Sequence, residues 1–246
     1  MFTLAGAVTL ARSHISSAAN SYSTNFVNPE NPISENGHWI DGKSVGLDWQ
    51  DVTTTPGFAT FTQPNPSTYD DATAILTGTW GSNQYVRTTV RIPTVDPSFA
   101  QEIEIRLRSS LSPHECSGYE VLGGSQIVRW NGALGDFTVL NTTGPGGQLH
   151  DGDIFEASMV GNVITVLING VQVSQATDNT FTGGSPGIGF FTRNPSAAKF
   201  GFSSFMASDS PLRNTAPPAP PTNVSTALAP LARTDAPDTP RAPPHA

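Results

Sequence analysis

This chain of 246 residues has one cysteine, two lysines, charges on only 13% of its positions and no long apolar run, and each shortage removes a class of protein. The single Cys116 permits no intrachain disulfide, so pairing says nothing about redox compartment. Within "PHECSG" its thiol reads as packed rather than nucleophilic. Long amphipathic helices would need more Lys, Glu and Leu than are present. No segment approaches the ~20 apolar residues of a membrane span, so membrane insertion is not expected. The formal charge of -8 lies entirely upstream of residue 209, and such an excess repels nucleic acid as a partner.

Turn formers are plentiful instead. With 23 Gly, 21 Pro and 37% hydrophobic residues, the composition suits many short strands in one large β domain. Eleven runs alternate with period two, at 58–62, 73–77, 84–92, 101–108, 118–122, 126–130, 136–140, 153–159, 162–168, 171–176 and 199–206. Gly161-Asn162 and Asn169-Gly170 supply the positive φ angles of two-residue hairpin turns, which makes "EASMVGNVITVLINGVQVSQA" a three-stranded antiparallel meander.

The alternation also sorts faces. In "QEIEIRLR" Ile103, Ile105 and Leu107 point to one side, leaving Glu102, Glu104, Arg106 and Arg108 on the other. In "QYVRTTVRI" Val86, Val90 and Ile92 oppose Tyr85, Arg87 and Arg91. If the two strands are neighbours, they build one face of alternating Arg and Glu. Such a face is either solvated or a sugar-binding surface, with hydroxyls held by Arg and Glu and a ring stacked on Tyr85, Tyr119, Trp80 or Trp130.

"FTGGSPGIGFF" (residues 181–191) resembles a phosphate loop, but a G-x-G-x-x-G pattern from Gly187 would need glycine where Thr192 stands. It reads instead as a turn at 183–186 feeding a strand. Gly187 and Gly189 then allow close approach on one side, while Ile188 and Phe190 share the other.

Taken in order, "NPISENGHW", "EIEIRLR", "SGYEV", "IVRWNG", "HDGDIFEASMVGNVITVLINGVQV", "FTGGSPGIGFF" and "FSSFMAS" resemble a bacterial concanavalin A-like lectin/glucanase domain, the laminin-G-like jelly roll, over residues 22–208. The resemblance implies an all-β, two-sheet antiparallel jelly-roll sandwich whose concave sheet binds carbohydrate, with hydrolase or lyase residues in some relatives. Fold does not fix function. The resemblance implies a polysaccharide or glycan partner, and the faces read from the alternation offer Tyr85, Arg87, Arg91, Glu102, Glu104, Arg106, Arg108 and Tyr119 to contact it.

Catalysis is the weaker expectation. Laminarinase-type relatives carry E-x-D-x-E, whereas this chain has Glu102-Ile103-Glu104-Ile105-Arg106, and an Arg beside Glu104 is expected to lower its pKa, which is wrong for a general acid. Alginate-lyase-type relatives place a His where Val128 stands. The catalytic candidates are therefore Glu104, His114 and Tyr119, in a chain expected to be non-catalytic. No cofactor is expected, unless Asp151 and Asp153 of "HDGDIF" hold a structural Ca²⁺; "DGD" is equally a hairpin turn.

Outside the domain, residues 209–246 are rich in Pro, Ala and Thr and are expected to form a disordered tail or linker, and residues 1–21 a possible disordered segment. "PAPPTNVSTA" looks like the start of a fibronectin type III module, which hints at further domains. The opening residues make a poor signal peptide, although the resemblance implies an extracellular or cell-surface protein.

Overall fold

The computed structural model describes residues 19–62, 69–95, 101–123, 126–142, 149–192 and 199–212. Most of the expected N-terminal segment and tail lie outside these residues. The architecture is all-β: two antiparallel sheets packed as a sandwich, with one short 3-10 turn at Lys43–Val45.

The first sheet runs β13 (Val171–Thr177), β12 (Val163–Ile168), β11 (Ile154–Val160), β6 (Gln84–Arg91), β15 (Gly201–Ser208), β4 (Phe58–Phe61) and β3 (Val52–Thr55), with β1 (Ser21–Thr24) also pairing β15. The second runs β10 (Phe137–Thr142), β9 (Gln126–Ala133), β8 (Glu115–Leu122), β7 (Gln101–Ser112), β14 (Ser185–Thr192), β5 (Ala72–Leu76) and β2 (Trp39–Asp41). The meander β11-β12-β13 forms as expected, turning on Asn169 and Gly170 at φ 51° and 79°; at the other turn Gly161 has a positive φ, 59°, but Asn162 does not, contrary to the expectation for that pair. The short β1, β2 and β3 lie outside the alternating runs of the sequence and are held by pairing with neighbouring strands.

Between the sheets lies one continuous core, in which Phe155, Phe190, Phe202 and Phe205 meet Ile103, Ile105, Leu107 and Val121. A second, smaller cluster forms on the opposite face of the second sheet. There the segment joining β2 to β3 folds across the strands, and Leu47 and Trp49 pack on Cys116, Val128 and Trp130. Backbone bonds from Gly42 N to Thr73 O, Gln50 N to Asp71 O and His114 N to Gly46 O hold this cover in place. With both faces covered, every residue of β14 is buried. Cys116 is sealed under the cover, and burial pushes its thiol up to about 12, so the packed reading holds.

One expectation is corrected by the topology. β6 lies between β11 and β15 in the first sheet, whereas β7 lies between β8 and β14 in the second. The consecutive strands are therefore not neighbours, and no single face of alternating Arg and Glu exists. Alternation reports which side of a strand a residue occupies; it cannot report that the chain crosses to the other sheet between two strands.

Candidate functional site

The outer face of the second sheet carries a charged centre enclosed by aromatic rings. Arg106, on β7, is fully buried. Its Nη2 donates to Glu104 Oε2 at 2.7 Å, to Asp71 Oδ2 at 3.2 Å and to Thr73 Oγ1 at 3.0 Å. Nη1 lies 2.5 Å from Glu120 Oε2 as an ion pair, without the alignment of a hydrogen bond. The guanidinium carbon sits 5.0 Å from the Trp49 ring centre and 6.0 Å from that of Trp130, within cation–π reach. Trp130 Nε1 in turn donates to Glu120 Oε2 at 2.6 Å.

Each member arrives by strand register. Glu104 and Arg106 are two apart on β7; Glu120 of β8 stands opposite Arg106; Gly187 and Gly189 of β14 stand opposite Arg106 and Glu104. Asp71 and Thr73 come from β5 and its leading edge, with Thr73 opposite Gly189. A Cβ at Gly189 would fall on Glu104 Oε2, so glycine there leaves room for the acidic side chain. The close approach expected at Gly187 and Gly189 is thus real on both strands.

Oxygens of Asp71, Glu104 and Glu120 lie within 4.8 Å of one another. Burial raises the carboxyls of Glu104 and Asp71 well above their ordinary range, each reinforced by the neighbouring acids and only partly opposed by Arg106. This reverses the expectation that Arg106 would lower Glu104: loss of water and two adjacent carboxylates outweigh one cation. The triad does not suit a metal ion, because Arg106 already contacts all three acids as their counter-cation.

Beside this centre opens a cleft of about 240 Å³. Its aromatic walls are Tyr69, Trp130 and Phe137, its acidic lining is Asp71, Glu102 and Glu120, and Gln126 adds an amide. Tyr69 is exposed and stands edge-on to Phe137 at 5.4 Å between ring centres.

Of the residues singled out from the sequence, Glu102, Glu104, Arg106 and Trp130 share this face, and Glu102 and Trp130 line the cleft directly. Tyr85, Arg87 and Arg91 lie on the first sheet, where Arg87 Nε pairs with Glu156 at 2.7 Å and Arg91 lies over Phe58. Arg108 leaves the alternation at a bulge, with φ 46°, and donates to the carbonyls of Ser82, Phe181 and Gly161. Tyr119 faces the core, where its hydroxyl donates to Asp178 Oδ1 and accepts from Phe181 N. His114 occupies an exposed hairpin with its Nδ1 2.7 Å from Asp48 Oδ2. Asp151 accepts from Ile92 N; Asp153 accepts from His150 N and Asn169 Nδ2, so both serve turns.

Asp71, Glu120, Trp49, Tyr69 and Phe137 were missed. Glu120 was legible in "GYEVL", where alternation sets it opposite Tyr119. Asp71 and Trp49 lie outside the alternating runs, and nothing local indicates that they meet Arg106.

No protein-family model matches the sequence, and no curated protein matches it. Solved structures do. The Emp46p carbohydrate recognition domain in its potassium-bound form is 12% identical with a TM-score of 0.53, covering 78% of this chain and 98% of that one. The VIP36 exoplasmic/lumenal domain in its Ca²⁺/Man3GlcNAc-bound form is 10% identical with a TM-score of 0.52, covering 77% and 93%. The carbohydrate binding module CBM66 from Bacillus subtilis is 12% identical with a TM-score of 0.46, covering 72% and 95%. At such identities the likeness to the Emp46p and VIP36 domains establishes the fold alone, a two-sheet antiparallel β sandwich.

Proposed function

We propose that this chain is a non-catalytic glycan-binding module that receives its ligand in the cleft beside Arg106. The observation that carries the reading is the cleft's lining: exposed or partly exposed rings of Tyr69 and Phe137 next to hydrogen-bonding acids and an amide. Rings offer an apolar platform to the C–H face of a sugar, and carboxylates and amides accept or donate to its hydroxyls. The Emp46p carbohydrate recognition domain and the Man3GlcNAc-bound VIP36 domain, which share the fold, agree with this reading. A glycan-facing module belongs in an extracellular or lumenal setting, joined to further domains.

A hydrolase of the same fold is the second reading, favoured by the convergence of three carboxyl groups. Against it, Glu104 is sealed from solvent, and Arg106 engages an oxygen of each acid. General acid catalysis needs a carboxyl within reach of the substrate oxygen.

A glycan array with the full chain tests the proposal. Binding that Tyr69→Ala weakens about tenfold supports it; no binding to any glycan by the folded protein overturns it. Release of reducing ends from a polysaccharide panel, lost in Glu120→Gln, would replace it with the hydrolase.

A further inference from the structure

We infer that Asp71 and Glu120 set what the cleft accepts: a sugar ring that presents two free, adjacent hydroxyls, one to each carboxyl group; this rests on the glycan-binding reading above. Asp71, ahead of β5, is 4% exposed and Glu120, on β8, is 3% exposed, yet both line the cleft. Arg106 fixes one oxygen of each, Asp71 Oδ2 through Nη2 and Glu120 Oε2 through Nη1. Trp130 Nε1 holds the same Glu120 oxygen.

The other oxygens, Asp71 Oδ1 and Glu120 Oε1, have no hydrogen-bond partner among the described residues, yet they are not sealed in as Glu104 Oε1 is. Two carboxyl groups, each anchored at one oxygen and unpaired at the other, therefore stand in the cleft wall. A polar atom in so buried a side chain costs stability unless a polar group meets it there.

Hydroxyls answer this arrangement without any demand on charge. A hydroxyl pairs with a carboxyl oxygen, as donor or as acceptor, whichever protonation state the acid holds, which matters because burial raises Asp71 toward its neutral form. An oxygen of Asp71 and one of Glu120 lie within 4.8 Å of each other, a separation that two neighbouring ring hydroxyls span when each bonds at about 2.7 Å. One ring can then lay its C–H face on Tyr69 or Phe137 while two of its hydroxyls meet the acids. Because Arg106 and Trp130 hold the carboxyl groups in place beforehand, little ordering is left to oppose binding. Trp130 is thus both a wall of the cleft and, through Nε1, a positioning group for Glu120.

Calorimetric titration of the full chain tests this with the β-1,4-linked hexasaccharides of glucose, mannose and xylose and with their 2,3-di-O-methyl counterparts, which keep the ring and lose every vicinal hydroxyl pair. A parent ligand that binds should lose at least about tenfold in affinity on methylation, the scale of the hydrogen bonds removed. Methylation also adds bulk, so variants separate the two causes. Asp71→Asn, Glu120→Gln and Trp130→Phe, the last keeping a ring and dropping Nε1, should each weaken the parent ligand about threefold or more and leave the methylated one unchanged, with the circular dichroism of the folded β protein retained. Equal affinity of the unmutated protein for parent and methylated ligands, or a difference that all three folded variants leave whole, overturns the selection but leaves glycan binding standing. Binding on the array confined to glycans without a free vicinal pair overturns it as well. No glycan bound by the folded protein, in the titrations or on the array, overturns the glycan reading itself.

Discussion

Gly189 of β14 stands directly opposite Glu104 of β7, and the missing side chain of the one is the space occupied by the carboxylate of the other. The glycine-rich run and the charged strand thus belong to one device. Bare backbone on β14 lets Glu104 and Arg106 lie across the sheet under Trp49 rather than project from it.

Alanine at either glycine should destabilise the fold, to different extents. A Cβ at Gly187 meets the carbonyl of Ala74, which is backbone of β5, whereas one at Gly189 meets a side chain. Overpacking costs about 1–3 kcal/mol, and more where the obstructing atom cannot rotate away. Urea denaturation should therefore rank Gly187→Ala below Gly189→Ala in stability, with both below the parent.

The charged centre should be sensitive to loss of its cation and tolerant of loss of one acid. Arg106→Met leaves Asp71, Glu104 and Glu120 facing one another without compensation, which by analogy with broken buried pairs costs about 3–5 kcal/mol. Glu104→Gln replaces a carboxyl that burial already holds toward its neutral form and keeps an oxygen for Arg106 Nη2. Its cost should stay below about 1 kcal/mol at neutral pH. Equal destabilisation by the two variants would contradict this account.

Stability should fall as pH rises through neutrality. Asp41 accepts from Lys43 N at 3.1 Å and Val52 N at 2.8 Å, tying down both ends of the segment that carries Trp49. Burial, with neighbouring Asp51, pushes its carboxyl up to about 7. A folded-state pKa above the unfolded one means that the native chain binds more protons from about pH 4 to about pH 7, so stabilisation present at the acidic end is lost across that window. The raised Asp71 and Glu104 act with the same sign. Thermal melts across that range should show a falling Tm, with a shallower fall in Asp51→Asn because one like charge is removed. A Tm that rises with pH would refute the assignment.

Removal of divalent cations should leave Tm unchanged. The oxygens of Asp151 and Asp153 bond to the turns around them, and the Asp71 triad is filled by Arg106. A lower Tm in chelator, restored by Ca²⁺, would show that some of these carboxylates hold an ion.

Ligand affinity and stability should separate at the cleft wall. Tyr69 is 40% exposed, so Tyr69→Ala should leave Tm nearly unchanged while lowering glycan affinity about tenfold, the scale of one lost aromatic contact. Trp130→Ala, at 3% exposure and in contact with both Trp49 and Arg106, should lower both together.

Composition, period-two alternation and the Asn169-Gly170 and Gly161 turns determine by themselves that this chain is built of short antiparallel strands, because those signals act over a few residues; the two-sheet sandwich was implied only by the family resemblance. Alternation likewise placed Ile103, Ile105 and Leu107 in the core. It could not determine that β6 and β7 occupy different sheets, since strand order depends on connections rather than on the strands. Nor could it reveal that Asp71, Glu104, Arg106 and Glu120 meet, or that Trp49 covers them. Those contacts join residues 49, 71, 106 and 120 across four separate segments, and only the folded sandwich brings them together. The same burial that hides Glu104 sets its pKa, so the chemistry of this site belongs to the tertiary structure.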